Sequence, residues 1–121
     1  MENMLENKSF LDTKVEKCIV CAVFLGTGKL EDSDFSSLEE LKDLCEAAGS
    51  EVVGEVFQNR TEYNTRTIIG KGKVEEIKYA IDMLRANLVV FDCELSGSHT
   101  RNLEDELGVR VIDRSRLILD L

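Results

Sequence analysis

The chain has 121 residues, of which 43% are hydrophobic and 32% charged, and its formal net charge is -9. This length and composition suit one compact domain with a hydrophobic core, and the chain is too short for two domains of ordinary size. The negative charge repels nucleic-acid phosphates at long range, which disfavours a free-standing DNA- or RNA-binding module. No apolar run reaches the roughly 20 residues that a membrane helix needs. The start also lacks the basic and apolar regions of a signal peptide, so a cytoplasmic protein is predicted.

Residues 1–16 are polar and mixed in charge and are predicted to form a flexible arm, whereas 17–121 form the predicted domain. Residues 18–25 are almost entirely apolar, which is typical of a strand buried on both faces of a parallel sheet. Cys18 and Cys21 lie in this strand, and residues three apart point to opposite faces, so the two thiols cannot bind one zinc ion together. Buried reduced thiols are predicted, with a zinc or redox site as the alternative.

A helix and a second strand are predicted next. Apolar residues recur at helical spacing at Leu38, Leu41, Leu44 and Cys45. Ser36 or Ser37 is the predicted N-cap of this helix, and Gly49 is its predicted stop. Residues 51–58 alternate loosely between apolar and polar and predict a strand, in which Gly54 marks a bulge or a close approach of another group.

The polar segment 58–66 predicts a surface loop, and residues 67–69 fit a brief strand. A second helix is predicted directly after the glycine-lysine turn 70–73, with Asn87 at its end. Its apolar face consists of Val74, Ile77, Ala80, Ile81 and Leu84.

The sequence LVVFD predicts another buried strand, and its Asp92 would lie at the carboxyl end, where ligands bind open α/β sheets. Ser96 or Ser98 is predicted to cap the following helix, and Gly108 is predicted to end it.

Residues 109–113 predict a last short strand, and the apolar tail 115–121 is predicted to be helical or strand-like. Strands and helices therefore alternate through the whole chain. This alternation predicts an α/β fold with a mostly parallel sheet of about four to five strands flanked by helices.

The glycine-lysine turn 70–73 is the most unusual local feature. Flexible glycines, two cations and the free N–H groups of a helix start can bind a phosphate. The turn does not match the phosphate-binding loop of nucleoside triphosphatases, because Val74 stands where a hydroxyl is needed. Residues 58–73 contain four basic residues and one acidic residue, a local excess that could contact RNA phosphates. The alternative is a tight turn with solvated lysines. The candidate phosphate-binding residues are Gly70, Lys71, Gly72, Lys73, Arg60 and Arg66.

Other polar residues offer weaker signals. Asp92, Glu94 and His99 are residue types used in acid–base or metal chemistry, but their spacing is not diagnostic, so a serine-capped helix start is the preferred interpretation. The segment 113–116 is either a helix cap with two solvated arginines or a second phosphate contact through Arg114. No catalytic arrangement emerges, and the chain is not predicted to be an enzyme on its own.

Several segments together resemble the N-terminal domain of the HflX family of ribosome-associated GTPases, over about residues 17–121. The most specific segments occur in the family's order and spacing at residues 69–76, 91–96, 101–104 and 111–114.

This resemblance implies a longer protein, in which a helical linker, starting at about 114–121, and a Ras-like GTPase domain follow the α/β domain. GTP and Mg²⁺ would bind to the GTPase domain, and no cofactor is expected here, because the chain has no Walker A or N-K-x-D motif. The implied partners are the protein's own GTPase domain and the large ribosomal subunit, with no membrane and no DNA. The protein would be cytoplasmic and ribosome-associated and would split or rescue stalled ribosomes under stress.

Transferred to this sequence, the resemblance implies that residues 70–73 contact 23S-type rRNA, with Arg60, Arg66 and Arg114 as further candidates. Two alternatives remain. The domain could bind and hydrolyse ATP through the same turn, with Asp92 assisting Mg²⁺. It could instead only regulate the GTPase domain by packing against it.

Overall fold

The computed structural model describes residues 16–25, 32–60, 66–119 and 121. Strands and helices alternate along these residues. In chain order they are β1 (Glu16–Leu25), α1 (Asp32–Ala47), β2 (Ser50–Arg60), α2 (Lys71–Leu84), β3 (Leu88–Phe91), α3 (Gly97–Leu107), β4 (Arg110–Asp113) and α4 (Arg114–Leu119). Residues 1–15 of the predicted arm lie outside the described residues, and Glu16 already belongs to β1.

The four described strands form one sheet in the order β2-β1-β3-β4, and every pairing is parallel. This confirms the predicted α/β fold with a parallel sheet. β1 has a strand on each side and helices over both faces, so the side chains of residues 18–22 have no exposed surface. A strand enclosed in this way needs a continuous apolar run instead of an alternating one.

The sheet has one apolar core on each face. The first core lies between the sheet and helices α2 and α3, and its helical members are Val74, Ile77, Ile81, Leu103 and Leu107. The second lies between the sheet and helices α1 and α4, and its helical members are Leu38, Leu41, Cys45 and Leu117. Cys21 belongs to the first core and Cys18 to the second, which confirms that the two thiols point to opposite faces. Each fully buried leucine or isoleucine contributes about 1.5–3 kcal/mol to folding.

A β-bulge interrupts the pairing of β1 and β2. Cys18 pairs with Val52 and Ile19 pairs with Gly54, so Val53 has no partner in the register. A Cβ atom on Gly54 would lie 3.0 Å from Leu84 Cδ1. The structure therefore confirms both predicted roles of Gly54, as part of a bulge and as the point where another element comes close.

Three helix ends lie where the sequence predicts them. α1 ends before Gly49, whose φ of 91° is in the left-handed region. α3 ends before Gly108, its C-cap, which has a φ of 75°. Glycine adopts this conformation without the clash that a Cβ atom causes. At the start of α3, Ser96 Oγ accepts a hydrogen bond from the His99 backbone N–H at 3.1 Å, so Ser96 is the N-cap and Ser98 is not.

Two other helix boundaries differ from the prediction. α1 begins at Asp32, so Ser36 and Ser37 are inside the helix and neither is its N-cap. α2 ends at Leu84, before the predicted Asn87, because Arg85 adopts a left-handed φ of 58°. Asn87 instead accepts a hydrogen bond from Lys17 N through Oδ1 at 3.0 Å, which ties it to the start of β1.

Two segments predicted from short patterns also differ. β2 continues to Arg60, so residues 58–60 are part of a strand and not of a loop. Residues 67–69 form a turn with a single bridge at Ile68 and not a brief strand. The apolar tail is predicted to be helical or strand-like, and the structure has a helix there. α4 runs from Arg114 to Leu119 and buries Leu117.

Candidate nucleic-acid interface

The glycine-lysine sequence lies at the amino terminus of α2. Gly70 is the N-cap, in an extended conformation, and residues 71–73 form the first helical turn, so the sequence is not a turn that precedes the helix. Glycine has no side chain to cap the helix, and the first turn contains no acidic residue. The first N–H groups of a helix have no acceptor within the helix, so they remain available to an anion.

The cations around this turn differ in their ion pairs. Lys73 Nζ lies 2.8 Å from Glu76 Oε1, one turn later in α2. Arg66 Nη1 lies 2.8 Å from Glu106 Oε2 of α3. Lys71 is exposed and has no ion-pair partner among the residues that the structure describes. Lys71 is therefore the cation of this group that is best placed to meet an external phosphate.

Arg66 and Lys71 line one cavity of about 220 Å³ beside the first turn of α2. Its lining residues are Arg66, Thr67, Lys71, Val74, Glu75 and Glu106. Two basic residues in this lining face two acidic residues, so the local positive excess counted from the sequence is reduced by carboxylates from other parts of the chain. Lys73 and Arg114 do not line the cavity, and the side chain of Arg60 lies outside the described residues.

The backbone immediately before the first turn is strained. Ile68 has a φ of 70°, and the Ile69 N–H donates to the Thr67 carbonyl at 2.7 Å. A hydrogen bond between residues two apart, closed around a positive φ, defines a classic γ-turn, which is rare and strained. A positive φ is especially unfavourable for a β-branched residue. No pattern in the sequence indicates this turn.

Helix α3 holds the same segment through two polar contacts. Asn102 Nδ2 donates to the Arg66 carbonyl at 3.1 Å, and Glu106 accepts the Arg66 guanidinium. Ile68 and Ile69 are buried in the core that α2 and α3 share. No local sequence pattern marks Asn102 or Glu106 as a site residue, because they contact Arg66 from 36 and 40 residues away in the chain.

Arg114 lies in a different place, over the carboxyl end of β3. Its Nη1 donates to Asp92 Oδ1 at 3.0 Å, and its Nη2 contacts Glu40 of α1. Ser37 Oγ donates to the other Asp92 oxygen at 3.3 Å. Burial lowers the pKa of the Arg114 guanidinium, but its hydrogen bonds with Asp92 and Glu40 outweigh that effect and raise it. Arg114 is thus engaged with carboxylates of its own chain.

The remaining polar candidates have structural contacts. Asp113 accepts the backbone N–H of Arg116 at 2.9 Å and the Leu95 N–H at 2.9 Å, so it caps α4 and fixes the segment before α3. His99 Nδ1 lies 3.0 Å from the capping Ser96 hydroxyl. Within the described residues, no group of histidine, cysteine, aspartate and glutamate side chains is arranged to hold a metal ion.

The four thiols are free and mostly buried. The pKa of the Cys18 thiol is raised by its hydrogen bond with Cys45 and by burial. Burial also raises the pKa of Cys21 and raises that of Cys93 to about 11. Cys18, Cys21 and Cys93 are therefore poor nucleophiles at neutral pH, since the thiolate is the reactive form. Among the described helices, none has the length and apolarity needed to cross a membrane.

Comparison with known protein families identifies the domain. Residues 35–121 match the family model described as GTP-binding GTPase N-terminal. The chain belongs to this family. The match begins within α1 and includes α2, whose first turn has no side-chain cap, and α4.

Curated relatives named GTPase HflX agree with this assignment. The domain is 46% identical to the protein from Caldanaerobacter subterraneus subsp. tengcongensis over 73% of this chain and 21% of that relative. It is 45% identical to that from Lacrimispora saccharolytica over 88% of this chain and 24% of the relative. It is 37% identical to the protein from Escherichia coli over 75% of this chain and 21% of that relative. The chain therefore spans about a fifth to a quarter of these relatives, and the resemblance to the HflX N-terminal domain is confirmed.

A solved structure of a variant of a protein named SsGBP has the same fold. It superimposes with a TM-score of 0.64 at 22% sequence identity, and the match covers 85% of this chain and 31% of the SsGBP chain. At this identity the similarity concerns the fold alone.

Proposed function

We propose that this HflX N-terminal domain docks on the rRNA of the large ribosomal subunit through the first turn of α2. The observation that supports the proposal is an exposed cation, Lys71, without an ion-pair partner in the described structure, at a helix start that has no side-chain cap. Backbone phosphates are recognised by cations and by helix N-termini of this kind. In the longer protein, the domain would direct a GTPase to ribosomes that are to be split or rescued under stress.

The net charge of the chain limits how this docking works. A net charge of -9 disfavours long-range attraction to RNA. Glu75 and Glu106, which line the cavity with Arg66 and Lys71, reduce the local attraction further. We therefore propose a small number of phosphate contacts, so that the domain orients a longer protein on the subunit and supplies only part of its affinity.

Two features favour RNA docking over the ATP-binding alternative. The cavity beside the turn has a volume of about 220 Å³, which is below the ≈ 300–1,000 Å³ of typical ligand pockets. Asp92, the carboxylate proposed to assist Mg²⁺, has both oxygens engaged, one with Arg114 and the other with Ser37.

The proposal is tested by co-sedimentation of the domain with purified large ribosomal subunits across a salt series. Lys71→Ala is compared with Lys17→Ala, which removes the same charge at an exposed position at the start of β1, beside Asn87 and the far end of α2. Loss of one phosphate contact makes the slope of log affinity against log salt shallower by about one. We expect this change for Lys71→Ala and a smaller effect on the slope for Lys17→Ala.

Equal slopes for the wild type and Lys71→Ala would rule out docking through this turn. Absence of binding by the wild-type domain at low salt would instead favour the regulatory alternative. In that case, adding the domain to a GTPase domain should change GTP turnover without ribosomes.

A further inference from the structure

The segment that leads into α2 is tied to α3 at two atoms of the same residue. Asn102 Nδ2 donates to the main-chain carbonyl of Arg66 at 3.1 Å. Glu106, one turn later in α3, accepts the side chain of Arg66 at 2.8 Å. The first contact fixes where the backbone passes, whereas the second fixes only where a flexible side chain lies.

Only a short stretch separates this tie from the proposed phosphate contact. Between Arg66 and Lys71, the chain makes the γ-turn at Ile68 and then the extended N-cap at Gly70. Thr67 Oγ1 donates to the Ile69 carbonyl at 2.7 Å and closes the turn further. A strained backbone persists only where its surroundings hold it in place, and the Asn102 carboxamide holds the carbonyl two residues before the strained position.

We infer that Asn102 is a positioning residue for the first turn of α2: its hydrogen bond holds the Arg66 carbonyl and the strained turn at Ile68, and so presents Lys71 to a phosphate. This inference rests on the proposed function. Asn102 itself does not contact the RNA. It reduces the conformational freedom that would otherwise be lost when the turn binds, which is how preorganisation increases affinity.

The two α3 contacts should have opposite effects on binding. Removing the Asn102 carboxamide loosens the turn but leaves Lys71 present, so affinity should fall by about fivefold, as for one net hydrogen bond, with an unchanged salt slope. Removing the Glu106 carboxylate should strengthen binding, because this anion lines the cavity with Lys71 and competes with phosphate for Arg66.

The experiment uses Asn102→Leu, which keeps a similar volume and removes the donor, together with Asn102→Ala and Glu106→Gln. Ser98→Ala is the matched control, because Ser98 is an exposed α3 residue that does not cap the helix. Amide hydrogen exchange is measured at residues 68–70, and each variant is co-sedimented with purified large ribosomal subunits across the salt series. Thermal unfolding establishes that each variant is folded.

Both Asn102 variants are expected to exchange faster at residues 68–70 and to bind about fivefold more weakly with the wild-type salt slope. The control should match the wild type in both measurements. Wild-type exchange at these amides in both Asn102 variants would overturn the inference, and so would faster exchange with undiminished binding. If Lys71→Ala also binds like the wild type, the docking function fails and the inference with it. If Lys71→Ala weakens binding and the Asn102 variants do not, only the inference fails.

Discussion

Arg114 and Asp92 connect helix α4 to the centre of the sheet. Arg114 Nη1 lies 3.0 Å from Asp92 Oδ1, and their side chains are only 25% and 15% exposed. Arg114 also contacts Glu40 and the Ser37 carbonyl on α1. One guanidinium therefore joins α4, α1 and the carboxyl end of β3, at the position where open α/β sheets usually bind ligands.

Arg114→Ala should lower the free energy of unfolding by about 1–3 kcal/mol, because it leaves the partly buried Asp92 carboxylate without its cation. Arg114→Lys should recover only part of this loss, since an ammonium cannot reproduce the planar fork of donors. Urea unfolding of Arg114→Ala, Asp92→Asn and the double variant measures the coupling between the two residues. Strictly additive effects would show that this pair does not stabilise the domain.

Gly54 should tolerate one methyl group but not a branched side chain. An added Cβ atom meets Leu84 Cδ1 at 3.0 Å, and this atom is the end of a flexible, 40% exposed side chain. Gly54→Ala should therefore cost less than about 1 kcal/mol, whereas Gly54→Val should cost about 1–3 kcal/mol through overpacking. Chemical denaturation measures both. Leu84→Ala should relieve most of the Gly54→Val cost, and failure to do so would place the clash elsewhere.

At Ile68, glycine should destabilise the domain less than alanine, which is the reverse of their usual order. Both substitutions remove a side chain that is only 3% exposed, so both destabilise the domain, by about 2–5 kcal/mol for alanine. Alanine keeps the unfavourable positive φ of 70°, whereas glycine relieves it. Ile68→Gly should therefore be about 1 kcal/mol more stable than Ile68→Ala. Thermal and chemical unfolding of both variants provide the comparison, and a more stable alanine variant would contradict the γ-turn.

The stability of the domain should fall at alkaline pH in part through Cys93. Burial raises the pKa of this thiol from 9.0 to about 11, so above pH 9 the unfolded chain loses the proton first. The contribution is fully present below pH 9 and is lost as the pH rises through 11, by up to about 2–3 kcal/mol. Urea unfolding of the wild type and Cys93→Ala across this range isolates the effect. If the free energy of unfolding falls with pH equally in the two proteins, Cys93 does not contribute to the loss of stability.

The fold could be predicted from the sequence because its signals are local. The continuous apolar run of β1 indicates a strand enclosed on both faces, Gly49 and Gly108 permit the left-handed backbone at helix ends, and Ser96 supplies a cap within three residues of its partner. The sequence predicts a later start for α1 than the structure has, because Ser36 and Ser37 are typical cap residues. In the fold, the Ser37 hydroxyl contacts Asp92 on a neighbouring strand.

The candidate site could be predicted only in part. Lys71 is a candidate from the sequence alone, since a glycine-lysine sequence before an amphipathic helix is a local pattern. The contacts of Arg66 with Asn102 and Glu106 arise when α2 and α3 pack side by side on one face of the sheet, and so depend on the topology. The turn at Ile68 runs against the backbone preference of isoleucine, so residue type gives the opposite indication.

The bulge at Val53 makes β2 tolerant of a change in length. Because Val53 has no partner, its deletion would leave Cys18 opposite Val52 and Ile19 opposite Gly54 in an uninterrupted ladder. Glu55 would still face Lys42 of α1, and the residues after it would keep their present faces. In most strands, losing one residue exchanges the inward and outward side chains. In this edge strand, deletion of Val53 should leave the core-facing side chains on the core face.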